Sequence, residues 1–314
     1  MNFEKKLISV VTPCYNEEEN VTDVYSQVKE IMDTLGYDYE HIFIDNSSVD
    51  KTVYILKNIA SRDKRVKIIV NARNFGHSKS PYYALLQTKG DAVISLFADL
   101  QDPPSIIKDF INKWEEGFKV VVGVKIKSEE GYIMSAIRRL YYNLIELISD
   151  SEQIKNFNGF ALYDRQFVEY LKLIDDQDPY LRGLVSYFGF SKAKIEYIQS
   201  KRKKGKSSNS FYTLYDIAML GFVNHSKVPL RLASFIGFGM SLLSFIIGIV
   251  YLVYKLLFWS RFQAGLAPLV IGIFFLASIQ LFFIGVLGEY IGAIYTQVKR
   301  RPLVIEKERI NFDS

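Results

Sequence analysis

Cysteine is nearly absent from this 314-residue chain. Cys14 stands alone, so no internal disulfide can form and the fold must rest on burial, as expected in a reducing compartment. Histidine is scarce as well: His41, His77 and His225 lie far apart, which excludes a zinc site built on imidazole and thiolate spacing and leaves oxygen ligands for any metal. The first apolar run breaks at Pro13, too soon for a signal peptide, so the chain is expected to begin in the cytoplasm. Charge of one sign is not in large excess either. A net charge of +5 gives no general nucleic-acid footprint, and no nucleic-acid partner is expected.

Apolar residues are abundant, at 49%, with 21 Tyr and 23 Phe, and they concentrate between residues 229 and 298. The segments 232–254 and 266–288 contain no Asp, Lys or Arg and no Glu, and each exceeds the roughly 20 residues that cross a bilayer core of about 30 Å. A connection of about eleven residues makes them a helical hairpin. Lys227 and Arg231 before it and Lys299, Arg300 and Arg301 after it outnumber Lys255 and Arg261 between the spans, so both termini are expected on the cytoplasmic side of the inner (cell) membrane. Gly237, Gly248, Gly272 and Gly285 permit close helix contact, and a homo-oligomer formed through the hairpin is a possibility.

Residues 1 to about 125 alternate β-branched runs with helical patterns. Strands are expected at 7–13, 39–45, 66–72, 91–99 and 118–125, and Val21, Val24, Val28, Ile31 and Leu35 mark a helix closed by Gly36. Such alternation implies an α/β domain with right-handed crossovers and a parallel sheet covered on both faces. Ligands of these sheets bind at the carboxyl ends of the strands. The polar clusters TPCYNEE, DNSSVD, NARNFG and ADLQD all fall at such ends. Residues 132–149 form an amphipathic pattern that suits either a core-facing helix or one lying on a membrane, and 211–222 pose the same choice, with position favouring the membrane.

Within ADLQDPP, Asp99 is placed to hold a divalent cation, since Mg²⁺ takes one or two carboxylates and completes its shell with phosphate oxygens and water. Gln101 can add an amide oxygen. Asp102 before Pro103 reads as the N-cap of a helix running toward Trp114, with metal or substrate contact as the alternative, and Asp50 reads as another cap. Five cations in SKRKKGKSS, just before the second amphipathic segment, suit either a solvated loop or anionic head groups, at about 1 kcal/mol per Lys or Arg.

Taken together, ISVVTPCYNEEENV, FIDNSSVDKT, RNFG and GDAVISLFADLQDPP resemble the inverting family 2 glycosyltransferases with a GT-A fold. The two spans, GEYIG and KRRP narrow the resemblance to polyprenyl-phosphate glycosyltransferases, the group of dolichyl-phosphate mannose synthase and the bactoprenol glucosyltransferases. It implies a Rossmann-like GT-A domain over 1–210, a juxtamembrane helix over 211–228, the hairpin over 229–298 and a cytoplasmic tail over 299–314. It further implies a nucleotide-sugar donor such as UDP-glucose, a polyprenyl (undecaprenyl) phosphate acceptor, and Mg²⁺ or Mn²⁺ on Asp99 and Gln101. Pro13, Tyr15, Asn16, Glu17, Asp45, Asn46, Arg73, Ala98 and Asp99 would line the donor. Lys125, Arg139, Arg202, Lys203, Lys206 and Ser207 would face the acceptor phosphate, and Asp99, Gln101 and Asp102 would carry the chemistry.

Three positions depart from that pattern. Phe97 and Asn46 stand where relatives often carry Asp, and Gly159 stands where many carry an acidic residue proposed as base. The departures motivate a second reading, a degenerate membrane-bound relative that binds nucleotide or lipid as a scaffold. A processive polysaccharide synthase of the same broad family would carry a Gln-x-x-Arg-Trp motif, and no Arg-Trp pair occurs here.

Overall fold

The computed structural model describes residues 5–127, 154–200, 228–258 and 266–312. Its centre is an eight-stranded sheet in the order β7-β5-β6-β4-β1-β2-β3-β8. The strands are β1 Leu7–Cys14, β2 Asp38–Asp45, β3 Val66–Asn71, β4 Ala92–Ser95, β5 Val120–Lys127, β6 Phe157–Asp164, β7 Lys192–Ile198 and β8 Glu306–Ile310. Four parallel strands, β3-β2-β1-β4, make the middle. The sheet as a whole is not parallel, contrary to the expectation from the sequence. β6 inserts antiparallel between β4 and β5, and β8 pairs antiparallel with the outer edge of β3.

Helices α1 Val21–Leu35, α2 Thr52–Arg62, α3 Gly76–Leu86, α4 Ile107–Glu115, α5 Arg165–Leu173 and α6 Leu181–Tyr187 cover the sheet. The apolar spacing of α1 has its predicted effect: Val21, Val24, Val28 and Met32 are buried, and Gly36 is its C-terminal cap. Asp50 accepts from the backbone N–H of Thr52 at 2.9 Å, so it satisfies a donor of the first turn of α2. The strands of the middle are buried on both faces, as crossover helices require.

Two expectations for residues 91–102 need correction. β4 ends at Ser95, with Leu96 N still donating to the carbonyl of Val11 at 2.9 Å, so Phe97 lies beyond the strand, and Leu100 adopts a left-handed φ of 54° as the chain turns. Asp102 is not a helix cap. The turn before α4, Pro104–Ile106, has Pro103 at its cap position and no side-chain cap bond, because the Asp102 carboxylate faces the interior and is 1% exposed.

Beyond this domain stand α7 Val228–Leu257 and α8 Leu266–Lys299, two apolar helices whose spanning stretches are 0% buried in the protein. Phe235, Phe245, Phe274 and Phe282 are 65–74% exposed, a surface that water does not tolerate and lipid does. With 34 residues, α8 is about 51 Å long at 1.5 Å per residue, so it outreaches a hydrocarbon core of about 30 Å. Its last turn meets the α/β domain. Gln177 N donates to Gln297 Oε1 at 3.0 Å, and Gln297 Nε2 donates to the carbonyl of Asp175. From there the chain passes Ile305, whose carbonyl accepts from Ala72 N at 2.8 Å, and enters β8. The segments 132–149 and 211–222 lie outside the described residues.

Candidate active site

The carboxyl ends of β1 to β4 gather the polar clusters on one edge of the sheet, and a cleft of about 320 Å³ opens there. That is a size in the range of small-ligand sites. Pro13, Tyr15, Glu17 and Asn46 line it, with Phe97 on the side of β4 and His77, Ser80 and Pro81 of α3 on the other. The α3 contribution was not anticipated from the sequence. Its signal was present in RNFG, since a glycine after a strand that opens a helix brings the first helical turn to the sheet edge.

The loops after β1 and β2 are laced together. Asn16, at a φ of 56°, donates its backbone N–H to Ser48 Oγ at 2.8 Å, and its Oδ1 accepts from Val49 N at 2.9 Å. Glu17 N donates to Thr52 Oγ1 at 2.9 Å, while Glu18 N donates to Asp50 Oδ2 at 3.1 Å. Asp45 is 0% exposed and takes both the backbone N–H and the hydroxyl of Ser48; burial, its largest influence, raises its pKa against the lowering effect of those bonds. Asn46 donates to Asn74 Oδ1 at 2.9 Å and to the carbonyl of Gly76 at 3.0 Å, and accepts from Asn71 and from the backbone of Phe75. Asn16, Asp45 and Asn46 thus shape the cleft through protein contacts. Burial pushes the Cys14 thiol up, with Asp45, Glu17 and Asp50 adding to it, which favours the protonated thiol.

Arg73, next to the lining residue Asn74, has Nη1 donating to the carbonyl of Asn74 at 3.0 Å and its guanidinium 4.1 Å from the centre of the Phe75 ring. Ala98 is 3% exposed, so main-chain atoms are what it offers a ligand. Asp99 is half-buried and accepts from the backbone N–H of Gln101 at 3.2 Å, an Asx turn that holds the two residues in one tight loop. Lys125 lies in β5 opposite Tyr197 of β7. Arg139, Arg202, Lys203, Lys206 and Ser207 fall outside the described residues.

Phe97 and Gly159, two of the positions that depart from the family pattern, are neighbours. Gly159 has a φ of +112°, and a Cβ added there would stand 3.4 Å from Phe97 Cζ. A carboxylate at 159 therefore meets both backbone strain and the ring. Gly159→Asp is expected to lower stability by about 1–3 kcal/mol through the backbone alone, read as a fall in melting temperature in detergent. A Gly159→Asp protein as stable as the parent, with higher transferase activity, would contradict this account.

The oxygen set suits a hard cation. Asp99 brings a carboxylate and Gln101 an amide oxygen, their own loop holds no thiol or imidazole, and Asp102 is turned away. Among the described residues no group of three His, Cys, Asp or Glu side chains could hold a metal alone. A cation at Asp99 needs oxygens from a ligand, as Mg²⁺ does when it rides on a diphosphate.

Residues 9–172 match the family model described as glycosyl transferase family 2, and residues 228–294 match the GtrB C-terminal hairpin. The chain is 34% identical over 307 residues to the uncharacterized glycosyltransferase YkcC of Bacillus subtilis (strain 168), covering 98% of this chain and 95% of that protein. It is also 34% identical over 302 residues to the SfII prophage-derived bactoprenol glucosyl transferase of Shigella flexneri, covering 96% and 97%. Among solved structures, glucosyl-3-phosphoglycerate synthase from Mycobacterium tuberculosis, in complex with phosphoglyceric acid, is similar with a TM-score of 0.51. Its identity is 17%, over 69% of this chain and 79% of that one, which makes it a likeness of fold.

Proposed function

Since the chain belongs to glycosyl transferase family 2 and carries the GtrB C-terminal hairpin, we propose that it moves one sugar from a UDP-sugar, UDP-glucose first among them, to polyprenyl (undecaprenyl) phosphate, with inversion at the anomeric carbon. One observation carries this reading. A cleft of ligand size, lined by Phe97 two residues before Asp99, lies in a domain that is bonded, through Gln297, to a helix long and apolar enough to cross a membrane. The excess of Lys and Arg flanking the hairpin supports a cytoplasmic site for the reaction.

In this mechanism an oxygen of the lipid phosphate attacks the anomeric carbon as the bond to the nucleoside diphosphate breaks. The acceptor needs no strong base, because a phosphate with a second pKa of about 6 is already mostly ionised near neutral pH. That removes the need for a carboxylate at Gly159. Pro13, Tyr15 and Glu17 wall the cleft for the nucleotide, while Arg73 precedes the lining residue Asn74 in the chain. Asp99 and Gln101 would hold Mg²⁺ or Mn²⁺, which when bound offsets the charge that develops on the departing diphosphate. Lys125, Arg139, Arg202, Lys203, Lys206 and Ser207 would hold the acceptor phosphate by charge and hydrogen bonding. Much of the rate is then positional, the two substrates being brought together in one orientation.

Incubation of the purified chain with undecaprenyl phosphate, Mg²⁺ and a panel of UDP- and GDP-sugars should yield one glycolipid, identified by its mass, from a UDP-sugar. No product from any donor, under conditions where the Shigella relative works, would overturn the reading. The Phe97–Gly159 contact favours a second reading, a nucleotide-binding scaffold without turnover. Mg²⁺-dependent UDP binding in a protein that transfers nothing would select it.

A further inference from the structure

Asp102 is a buried carboxylate whose three hydrogen-bond donors come from two other parts of the fold, β6 and the end of β7. Asn158 Nδ2 donates to its Oδ2 at 2.7 Å, and the Tyr197 hydroxyl and Gln199 Nε2, the latter at 3.5 Å, donate to Oδ1. With 1% exposure it cannot meet a substrate or an ion from solvent. Burying a carboxylate is costly unless its oxygens are hydrogen-bonded, and here neutral donors do this. Burial, with Asp102 next in effect, pushes the Tyr197 phenol far up, so Tyr197 remains a donor.

Each donor marks a piece of the candidate site. Asn158 lies in a bulge of β6: Val122 pairs with Ala161 and Val124 with Phe157, so Gly123 alone faces residues 158–160. The bulge needs that glycine, since a Cβ at 123 would stand 3.0 Å from both Phe160 Cδ1 and Tyr197 Cε1. The same bulge presents Gly159 to Phe97 at the donor cleft. Tyr197 lies near the end of β7 and Gln199 just past it, and the next residue, Ser200, donates its backbone N–H to the carbonyl of Gln101 at 3.0 Å. Immediately after Ser200 the sequence reads KRKKGK. One carboxylate therefore joins the Asp99–Gln101 loop, the wall of the donor cleft and the entry to the five-cation run.

We propose that Asp102 is a positioning residue which, through Asn158, Tyr197 and Gln199, holds Ser200, the residue before the cationic sequence, against the Asp99–Gln101 loop, and so favours binding of the acceptor phosphate. The inference rests on the acceptor reading above. It predicts that loss of the Asp102 charge harms the acceptor side much more than the donor side. A residue that merely stabilises the fold would harm both alike.

The test uses the full chain in detergent, with two binding measurements and one of turnover. In Asp102→Asn, the Kd for UDP with Mg²⁺ should stay within about twofold of the parent, while the Kd and KM for undecaprenyl phosphate rise about tenfold or more, the loss of one hydrogen bond to a charged group. Tyr197→Phe, which keeps the ring and removes one donor, should move acceptor values the same way by a smaller factor. Asp102→Glu, longer by one methylene but still charged, should recover part of the acceptor affinity that Asp102→Asn loses. Equal losses for UDP and acceptor, or no acceptor change in Tyr197→Phe even where Asp102→Asn fails to fold, would overturn the inference. Absence of turnover in the parent chain would instead sink the proposed function, and the two Kd ratios would still decide the role of Asp102.

Discussion

Asp99→Asn should reduce sugar transfer by about 10²–10³-fold, a loss of about 3–4 kcal/mol of transition-state stabilisation, with the fold intact. The substitution is chosen for what it keeps. An Asn oxygen still accepts from the backbone N–H of Gln101, so the tight loop after β4 persists. What vanishes is the charge. With Phe97 two residues upstream, and with Asp102 engaged by Asn158, Tyr197 and Gln199, the loop has no second carboxylate to replace it. The measurement is initial rate at saturating donor and acceptor, beside UDP binding with Mg²⁺ and with chelator. The binding difference between those two conditions should shrink in the variant. Retention of more than a tenth of the parental rate would mean that the diphosphate charge is met elsewhere.

The largest effect on stability is expected at the opposite end of the sheet. Glu40 is 3% exposed, and its Oε1 accepts from the Ser9 hydroxyl at 2.6 Å and from Lys89 N at 2.8 Å. Its Oε2 accepts from Lys67 Nζ at 2.6 Å, in a pair whose side chains are 12% and 4% exposed. Glu40→Ala leaves an ammonium, a hydroxyl and an amide without their acceptor in a place water scarcely reaches. Breaking a buried pair from one side costs about 3–5 kcal/mol. Thermal unfolding in detergent should show it, against Lys5→Ala as control. Lys5 pairs with Asp38 at 2.8 Å with both side chains more than half exposed, and such a pair is worth about 0–1 kcal/mol. Similar losses in the two variants would show that Glu40 is not the anchor described.

The parts of this fold that were legible in the sequence are those in which local pattern and tertiary role agree. β1, β2 and β3 are continuous apolar runs because both faces are buried, and α1 shows its one buried stripe at helical spacing. The strands that escaped notice lack such agreement. β6 reads FNGFALYD, in which Asn158-Gly159 suggests a turn; the bulge turns that pair into a bend within a strand. β8 reads EKERI and has an exposed middle, as suits an edge protected by charge. For the site, chain order located the right loops, because strand ends converge on one edge whatever the connections. It did not reveal the direction of each side chain. Asp45, Asn46 and Asp102 look like ligand contacts as residue types, and their hydrogen bonds tie loops together, while Asn46 lines the cleft as well. A sequence cannot separate those roles, since both demand the same polar atoms.

Strand β8 has a consequence for biogenesis. β3 is complete at residue 71, but the partner for its outer edge begins at residue 306, after both apolar helices have been made. At about 5–20 residues per second, that edge waits on the order of 10–50 s during synthesis with its backbone groups unpaired. The globular part therefore cannot close its sheet until the hairpin has left the ribosome. A chain whose hairpin fails to insert would hold back β8 and leave a sticky edge for chaperones or proteases to find, which couples quality control of the soluble domain to success in the bilayer.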